Sequence, residues 1–237
     1  VPVYETSSAE QMQWIISDSS AVAVIVETEA NLAMLESIRS NVPSVAHTWI
    51  FDRGALAELR SAGAWISDAD ADVRRAAVTP NDTCTIIYTS GTTGRPKGCV
   101  VTHGNFAFLA RNVIPSVPEV FGQPDPSTLL FLPLAHVFGR IIQIAMVESG
   151  LKLAFAPDIK NLVADLQAFK PNFLLAVPRV FEKVFNGAQQ KAATEGKDKI
   201  FNLAADTAIA YSKAIAAGNI SIGLRIKHCL LYTSPSP

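Results

Sequence analysis

Charge is what this chain has least of. Only 17% of its 237 residues are Asp, Glu, Lys or Arg, and the net charge is −1. Globular domains carry about a quarter. With no basic excess there is no bulk attraction for nucleic acid or for an anionic bilayer, and no nucleic-acid partner is expected. Cysteine is scarce too. Cys84, Cys99 and Cys229 lack metal-ligand spacing, and the first two sit in apolar runs. Buried thiols in a reducing cytoplasm are the expectation. No apolar run approaches the roughly 20 residues of a membrane span. Methionine is missing from position 1, where Val1 already belongs to a patterned segment, so the natural N-terminus and any targeting signal are expected to lie upstream.

What is present is apolar. At 49% hydrophobic the chain can build one large core or two small ones. So few charges imply a thoroughly buried sheet, or a piece of something larger. Val1 to Tyr4 reads as the end of a strand. Ser7-Ser8-Ala9-Glu10 is a capping-box pattern, followed by a helix with Met12, Ile15 and Ile16 on one face. Ala21 to Val26 is continuous enough for a strand covered on both faces. Helix, strand, helix and helix follow, with Leu32, Leu35 and Ile38, then Val45 to Phe51, Ala55 to Arg60, and Asp68 to Val78. A turn is expected at Pro80-Asn81-Asp82.

Farther on, Phe106, Leu109, Ala110 and Val113 fall at helical spacing. The prolines from Pro115 to Pro126 predict a loop. Strands are predicted at Thr128 to Leu132, Leu151 to Phe155 and Phe173 to Val177. Helices are predicted at Val137 to Val147, around Leu162 to Phe169, and over 179–195 and 199–217. Val137 to Val147 is apolar nearly all round, hence expected to be buried. This alternation indicates an α/β domain with a mainly parallel sheet flanked by helices, without an internal repeat or clear linker.

One run resists a packing explanation. Between Cys84–Tyr88 and Cys99–Val101 lies Thr89-Ser90-Gly91-Thr92-Thr93-Gly94-Arg95-Pro96-Lys97-Gly98. Four hydroxyls, three glycines and two cations fall within these residues. Glycines let the backbone approach a ligand closely, successive N–H groups make an anion-binding concavity, and hydroxyls add rotatable donors. Lys97 brings a mobile positive charge and Arg95 a second. The combination suits a polyphosphate. It is not a Walker A loop, which needs Gly-Lys-Ser/Thr opening a helix; here Gly98 follows Lys97 and a strand pattern comes next. A polar hairpin turn is the plainer alternative.

From Tyr88 to Gly98 the run resembles, at every fixed position, the phosphate-binding signature of the adenylate-forming (AMP-binding) superfamily, Tyr-Thr-Ser-Gly-Thr-Thr-Gly-x-Pro-Lys-Gly. The resemblance implies that Thr89, Ser90, Gly91, Thr92, Thr93, Gly94 and Lys97 bind ATP phosphates. Leu132-Pro133-Leu134-Ala135-His136 is similar to the family's second core block, which would give His136 a substrate-positioning role. Spacing alone also allows a histidine satisfied by a backbone carbonyl. Phe138 reads as pocket wall or core, and Arg140 is a weaker candidate. Thr102-His103-Gly104-Asn105 looks like the family's Thr-His-x-Asn, though capping by Thr102 or Asn105 explains it equally. Val177-Pro178-Arg179-Val180-Phe181-Glu182-Lys183 looks like a run of the long-chain fatty acyl-CoA synthetase branch. The plain reading is a helix whose packing face is Val180, Phe181, Val184 and Phe185, with Arg179 and Lys183 solvated beside Glu182.

The resemblance covers about residues 1–228, a partial N-terminal adenylate-forming domain. It implies a long-chain fatty acid–CoA ligase using ATP, Mg²⁺ and CoA, with cytoplasmic location and room for peripheral membrane contact. The family's Tyr-Gly-x-Thr-Glu and Thr-Gly-Asp blocks and its C-terminal lysine domain have no match here, so the Mg²⁺ carboxylate is unassigned and the chain by itself is expected to be inactive. Lys197 and Lys199 lie in a charged helix linker and do not replace the missing lysine. Residues 229–237, ending in Ser-Pro alternation that extends neither helix nor strand, are expected to be a non-native tail. A fatty acyl-AMP ligase that loads a carrier protein and a non-catalytic nucleotide-binding remnant stay open as alternatives.

Overall fold

Side-chain capping marks where several of the helices begin. In the computed structural model, which describes residues 1–89, 95–157 and 159–233, Ser8 caps helix α1 (Ala9–Asp18) and Gln11 closes the box. The expected box is thus displaced by one residue. Thr28 with Asn31 opens α2 (Glu29–Ser37), and Ser67 with Asp70 opens α4 (Asp68–Ala76). Each pair satisfies two backbone N–H groups that a helix start leaves without partners. Helix α3 spans Ala55–Ala62. Val1 to Tyr4 is irregular rather than strand.

The chain divides into two compact units, Val1–Leu175 and a second beginning at Ala176, a division that no linker composition announced. In the first unit, β1 (Ala23–Val26) pairs in parallel with β2 (His47–Ile50), with Val26 opposite Ile50. Helix α2 makes the crossover. Met12 and Ile16 of α1, Leu35 and Ile38, Val42 and Val45 close one core over this pair. Leu35 is completely buried, a burial contributing roughly 1.5–3 kcal/mol. β1 is covered on one face only, because Ala23 and Ile25, on the face opposite Val24 and Val26, are exposed.

β3 (Thr83–Thr89) and β4 (Lys97–Thr102) form an antiparallel hairpin with Tyr88 opposite Gly98 and Thr89 opposite Lys97. Chain entering β4 goes on as strand, as the sequence required and as a Walker A loop would not. Helix α5 (His103–Ser116) starts at Thr102, capped reciprocally with Asn105. Its first turn is tied to the Pro80–Asp82 turn by Gly104 N–H to Pro80 O, 2.7 Å, and His103 N–H to Asp82 O, 3.1 Å. The helix runs through Pro115 and is followed by α6 (Pro118–Phe121), where a loop was expected. Pro115 lies in the last turn, so its ring and missing N–H interrupt the hydrogen-bond ladder only at the end of the helix, and Pro118 opens α6 in the first-turn position that tolerates it.

A second parallel pair joins β5 (Ser127–Leu130) to β6 (Lys152–Phe155) through α7 (Val137–Ser149). Helix α8 spans Leu162–Phe169. The expected strand at Phe173 to Val177 shrinks to one bridge, Thr128 to Phe173, reinforced by Thr128 Oγ1–H to Phe173 O at 3.0 Å. Pro178 starts the next helix so soon that no ladder develops. Among the described residues the predicted parallel sheet is therefore two separate parallel pairs and one hairpin, still an α/β arrangement. Helix α7 buries Gly139, Ile142 and Ala145 but leaves Val147 73% exposed, so its apolar circumference is not buried all round.

The second unit is helical: α9 (Pro178–Thr194), α10 (Asp198–Ala216) and α11 (Ile222–Thr233). The last of these continues through Cys229 into the segment expected to be a tail. Phe185 and Phe201 meet at 5.2 Å between α9 and α10. Ile200, Leu203, Ile209 and Ile215 of α10 are exposed. Among the described residues no helix is long and apolar enough to cross a membrane.

Candidate functional site

The hairpin presents the ends of the phosphate-type loop. Thr89 and Lys97 stand opposite each other as the last ladder pair and both are exposed. Ser90, Gly91, Thr92, Thr93 and Gly94 lie outside the described residues. Among those described, no carboxylate pairs with Lys97. Arg95 differs: its guanidinium lies 4.8 Å from the centre of the Trp14 ring, a cation–π distance. Of the two cations counted in the sequence, Arg95 is therefore held by an aromatic face, and Lys97 has no ion pair among the described residues.

Both stems of the loop are tied to α1. Before the loop, Tyr88 Oη–H donates to Asp18 Oδ2 at 2.6 Å. Burial, followed by this bond, pushes the Tyr88 hydroxyl well above its ordinary pKa, so it remains a donor. After the loop, Trp14 Nε1–H donates to Pro96 O at 2.8 Å. Trp14 and Asp18 are four residues apart and share a helix face, opposite the Met12 and Ile16 face in the core. Gly98 makes the Tyr88 contact fit: a Cβ there would stand 2.9 Å from Ile86 Cγ2 and 3.1 Å from the Tyr88 ring.

His136 is delivered by a tight turn. His136 N–H donates to Pro133 O at 2.9 Å, and the residue becomes the N-cap of α7. Its Nδ1 accepts from Phe138 N–H at 3.4 Å, which places the proton of a neutral ring on Nε2. The histidine is thus satisfied by a backbone donor, not by a carbonyl. Phe138 is 42% exposed and stacks on His136 at 5.6 Å, so it is not core. Arg140 instead donates to Gln143 Oε1 at 3.0 Å. Gly139 lets the turn close, since a Cβ would meet Pro133 O at 2.6 Å.

These pieces meet. One cavity of about 630 Å³ is lined by Tyr88, Thr89 and Pro96 from the loop stems, by His136 and Val137 from the turn, and by Ile15 of α1. Its size lies within the range of small-molecule sites. Two motifs far apart in the chain thus face one space, polar at the loop end and apolar at Ile15 and Val137. Sequence reasoning missed Trp14 and Asp18. Their i, i+4 spacing on the polar side of α1 was the only hint available. Among the described residues no three His, Cys, Asp or Glu side chains converge to hold a metal ion, and no Mg²⁺ ligand is assigned.

Other expected residues resolve as structure. Thr102 and Asn105 cap α5. Arg179 pairs with Glu182 at 3.6 Å on the surface, and Lys197 pairs with Glu195 at 3.0 Å. Cys84 is half-buried and Cys99 exposed, contrary to the expectation of buried thiols, because both faces of β4 are open to solvent from Lys97 to Val100.

A family model described as AMP-binding enzyme matches residues 1–226. The long-chain-fatty-acid–CoA ligase FadD15 of Mycobacterium tuberculosis is 43% identical over 233 residues, which is 97% of this chain and 39% of that protein. Long chain acyl-CoA synthetase 4 of Arabidopsis thaliana is 32% identical over 235 residues, 90% of this chain and 34% of that one. Among solved structures, ATP-bound MatB from Rhodopseudomonas palustris superposes with a TM-score of 0.60 at 25% identity, over 78% of this chain and 35% of that one. The chain spans about two fifths of the length of the mycobacterial relative.

Proposed function

The chain belongs to the family of AMP-binding enzymes, and from that membership we propose that it forms part of a long-chain fatty acid–CoA ligase. A fatty-acid carboxylate oxygen attacks the α-phosphorus of ATP. The bond to the bridging oxygen breaks, and acyl-adenylate and diphosphate form. The CoA thiolate then attacks the acyl carbonyl and AMP leaves with the carboxylate oxygen. The observation that carries this reading is the shared cavity of Thr89, Pro96 and His136, supported by relatives named for the same ligase activity.

In this reading Thr89, Ser90, Thr92 and Thr93 donate hydroxyls to the β- and γ-phosphates, and Gly91 and Gly94 allow the backbone close. Lys97 neutralises charge as diphosphate departs. This is catalysis by positioning and electrostatic stabilisation. His136 positions the carboxylate end of the acyl group, and Ile15 and Val137 border the start of its chain. Mg²⁺ would arrive on the phosphates. The acyl substrate partitions into bilayers, so peripheral membrane contact of a cytoplasmic enzyme belongs to the proposal, and flotation with liposomes tests it.

The test is fatty-acid-dependent ATP–diphosphate exchange by the full gene product that carries these residues. Lys97→Ala is expected to slow exchange by roughly 100-fold or more. Exchange at the wild-type rate would remove Lys97 from the site. AMP release indifferent to CoA would move the acceptor to a carrier protein, and no exchange in the unaltered protein would leave a nucleotide-binding remnant.

A further inference from the structure

A loop rich in glycine is costly to order, because each residue fixed in one backbone conformation loses about 1–2 kcal/mol of entropy. Here both loop ends are fixed by one helix. Tyr88, the last buried residue before the loop, is bonded to Asp18, and Pro96, the residue before Lys97, accepts from Trp14. Arg95 is held against the Trp14 ring. Asp18 and Trp14 are one turn apart, about 6 Å along α1. The helix itself cannot shift easily. Met12 and Ile16 are locked in the core, and Ser8 and Gln11 cap its first turn.

We propose that α1 is the strut of the phosphate loop, with Trp14 and Asp18 as positioning residues that set the separation and direction of its two stems. Neither touches the reacting atoms. Trp14 acts through Pro96 and Arg95, and places Lys97 one bond further on. Asp18 acts through Tyr88 and places Thr89. The inference rests on the reading of residues 89–98 as the ATP phosphate site. It predicts that perturbing Trp14 or Asp18, outside the signature, is felt as a loss in the use of ATP and not in the use of the fatty acid.

The experiment is steady-state kinetics on the full gene product, each variant assayed well below its melting temperature. Trp14→Phe keeps a ring beneath Arg95 and removes the N–H to Pro96. Its kcat/KM for ATP should fall about fivefold, the worth of one ordinary hydrogen bond, with KM for the fatty acid unmoved. Trp14→Leu, which removes ring and donor, should fall further. Asp18→Ala should lower kcat/KM for ATP similarly, and Asp18→Asn, which can still accept from Tyr88, should restore most of it. Variants that melt earlier but use ATP as before, or that lose ATP and fatty acid alike, overturn the strut and make these contacts packing only. Lys97→Ala runs beside them: if it too leaves ATP use intact, the phosphate reading itself has failed, whereas a Lys97 effect with silent α1 variants rejects the strut alone.

Discussion

Gly98→Ala is the sharpest test of the hairpin geometry. Gly98 pairs with Tyr88 across the ladder, so a methyl group there points to the face carrying the Tyr88 ring, with Ile86 diagonal to it. The added carbon would lie 2.9 Å from Ile86 Cγ2, 3.1 Å from Tyr88 Cζ and 3.2 Å from Tyr88 Oη. Ile86 or Tyr88 has to yield by several tenths of an ångström. Tyr88 has little freedom, being 7% exposed and bonded to Asp18. Overpacking of this kind costs roughly 1–3 kcal/mol. Replacing glycine in a strand returns roughly 0.5–1 kcal/mol of backbone entropy. The balance is a destabilisation of between about 0 and 2.5 kcal/mol, up to about 10 °C in thermal midpoint for a chain of this size. Thermal melts of Gly98→Ala, Ile86→Ala and the double variant measure it. The double variant should be less destabilised than the sum of the two singles, because Ile86→Ala removes the nearest clashing atom. Gly187→Ala in α9, where a Cβ meets nothing within 4 Å, should stabilise instead. A stabilising Gly98→Ala, or strict additivity with Ile86→Ala, would refute the close approach.

Two further outcomes follow from the same contacts. Gly139→Ala drives a methyl into Pro133 O and should shift the turn that carries His136, raising KM for the fatty acid more than KM for ATP in the full gene product; equal effects would detach His136 from the acyl end. Stability should also fall on acidification. Hydrogen bonds from Arg53 to Glu29, from Arg39 to Glu36, from Ser67 to Asp70 and from Thr79 N–H to Asp82 hold these carboxyls below their ordinary values. The unfolded chain therefore binds protons first. The contribution is present above the ordinary carboxyl range and is lost as pH falls through and below about 4. Melting from about pH 6 to about pH 3 checks it, and Glu29→Gln should flatten the profile slightly.

The sequence by itself determined the elements whose causes are local. Caps at Thr28, Ser67 and Thr102 fixed helix starts, since a side chain meeting a backbone N–H three residues away needs no distant partner. The same holds for the strands flanking the signature and for the family resemblance itself, which resides in contiguous residues. The slip from Ser7 to Ser8 arose because two adjacent serines offer the same chemistry. Strands fared worse at Phe173 to Val177 and Val1 to Tyr4, because a strand exists only when another segment pairs with it. Burial of α7 and of Cys99 likewise depends on what the rest of the fold lays over them. Only the tertiary structure brought Trp14 and Asp18 to the loop stems, gave Arg95 an aromatic partner while leaving Lys97 without an ion pair among the described residues, and set His136 across a cavity from Thr89. Those relations link residues tens of positions apart, and local propensity carries no record of which distant surfaces will meet.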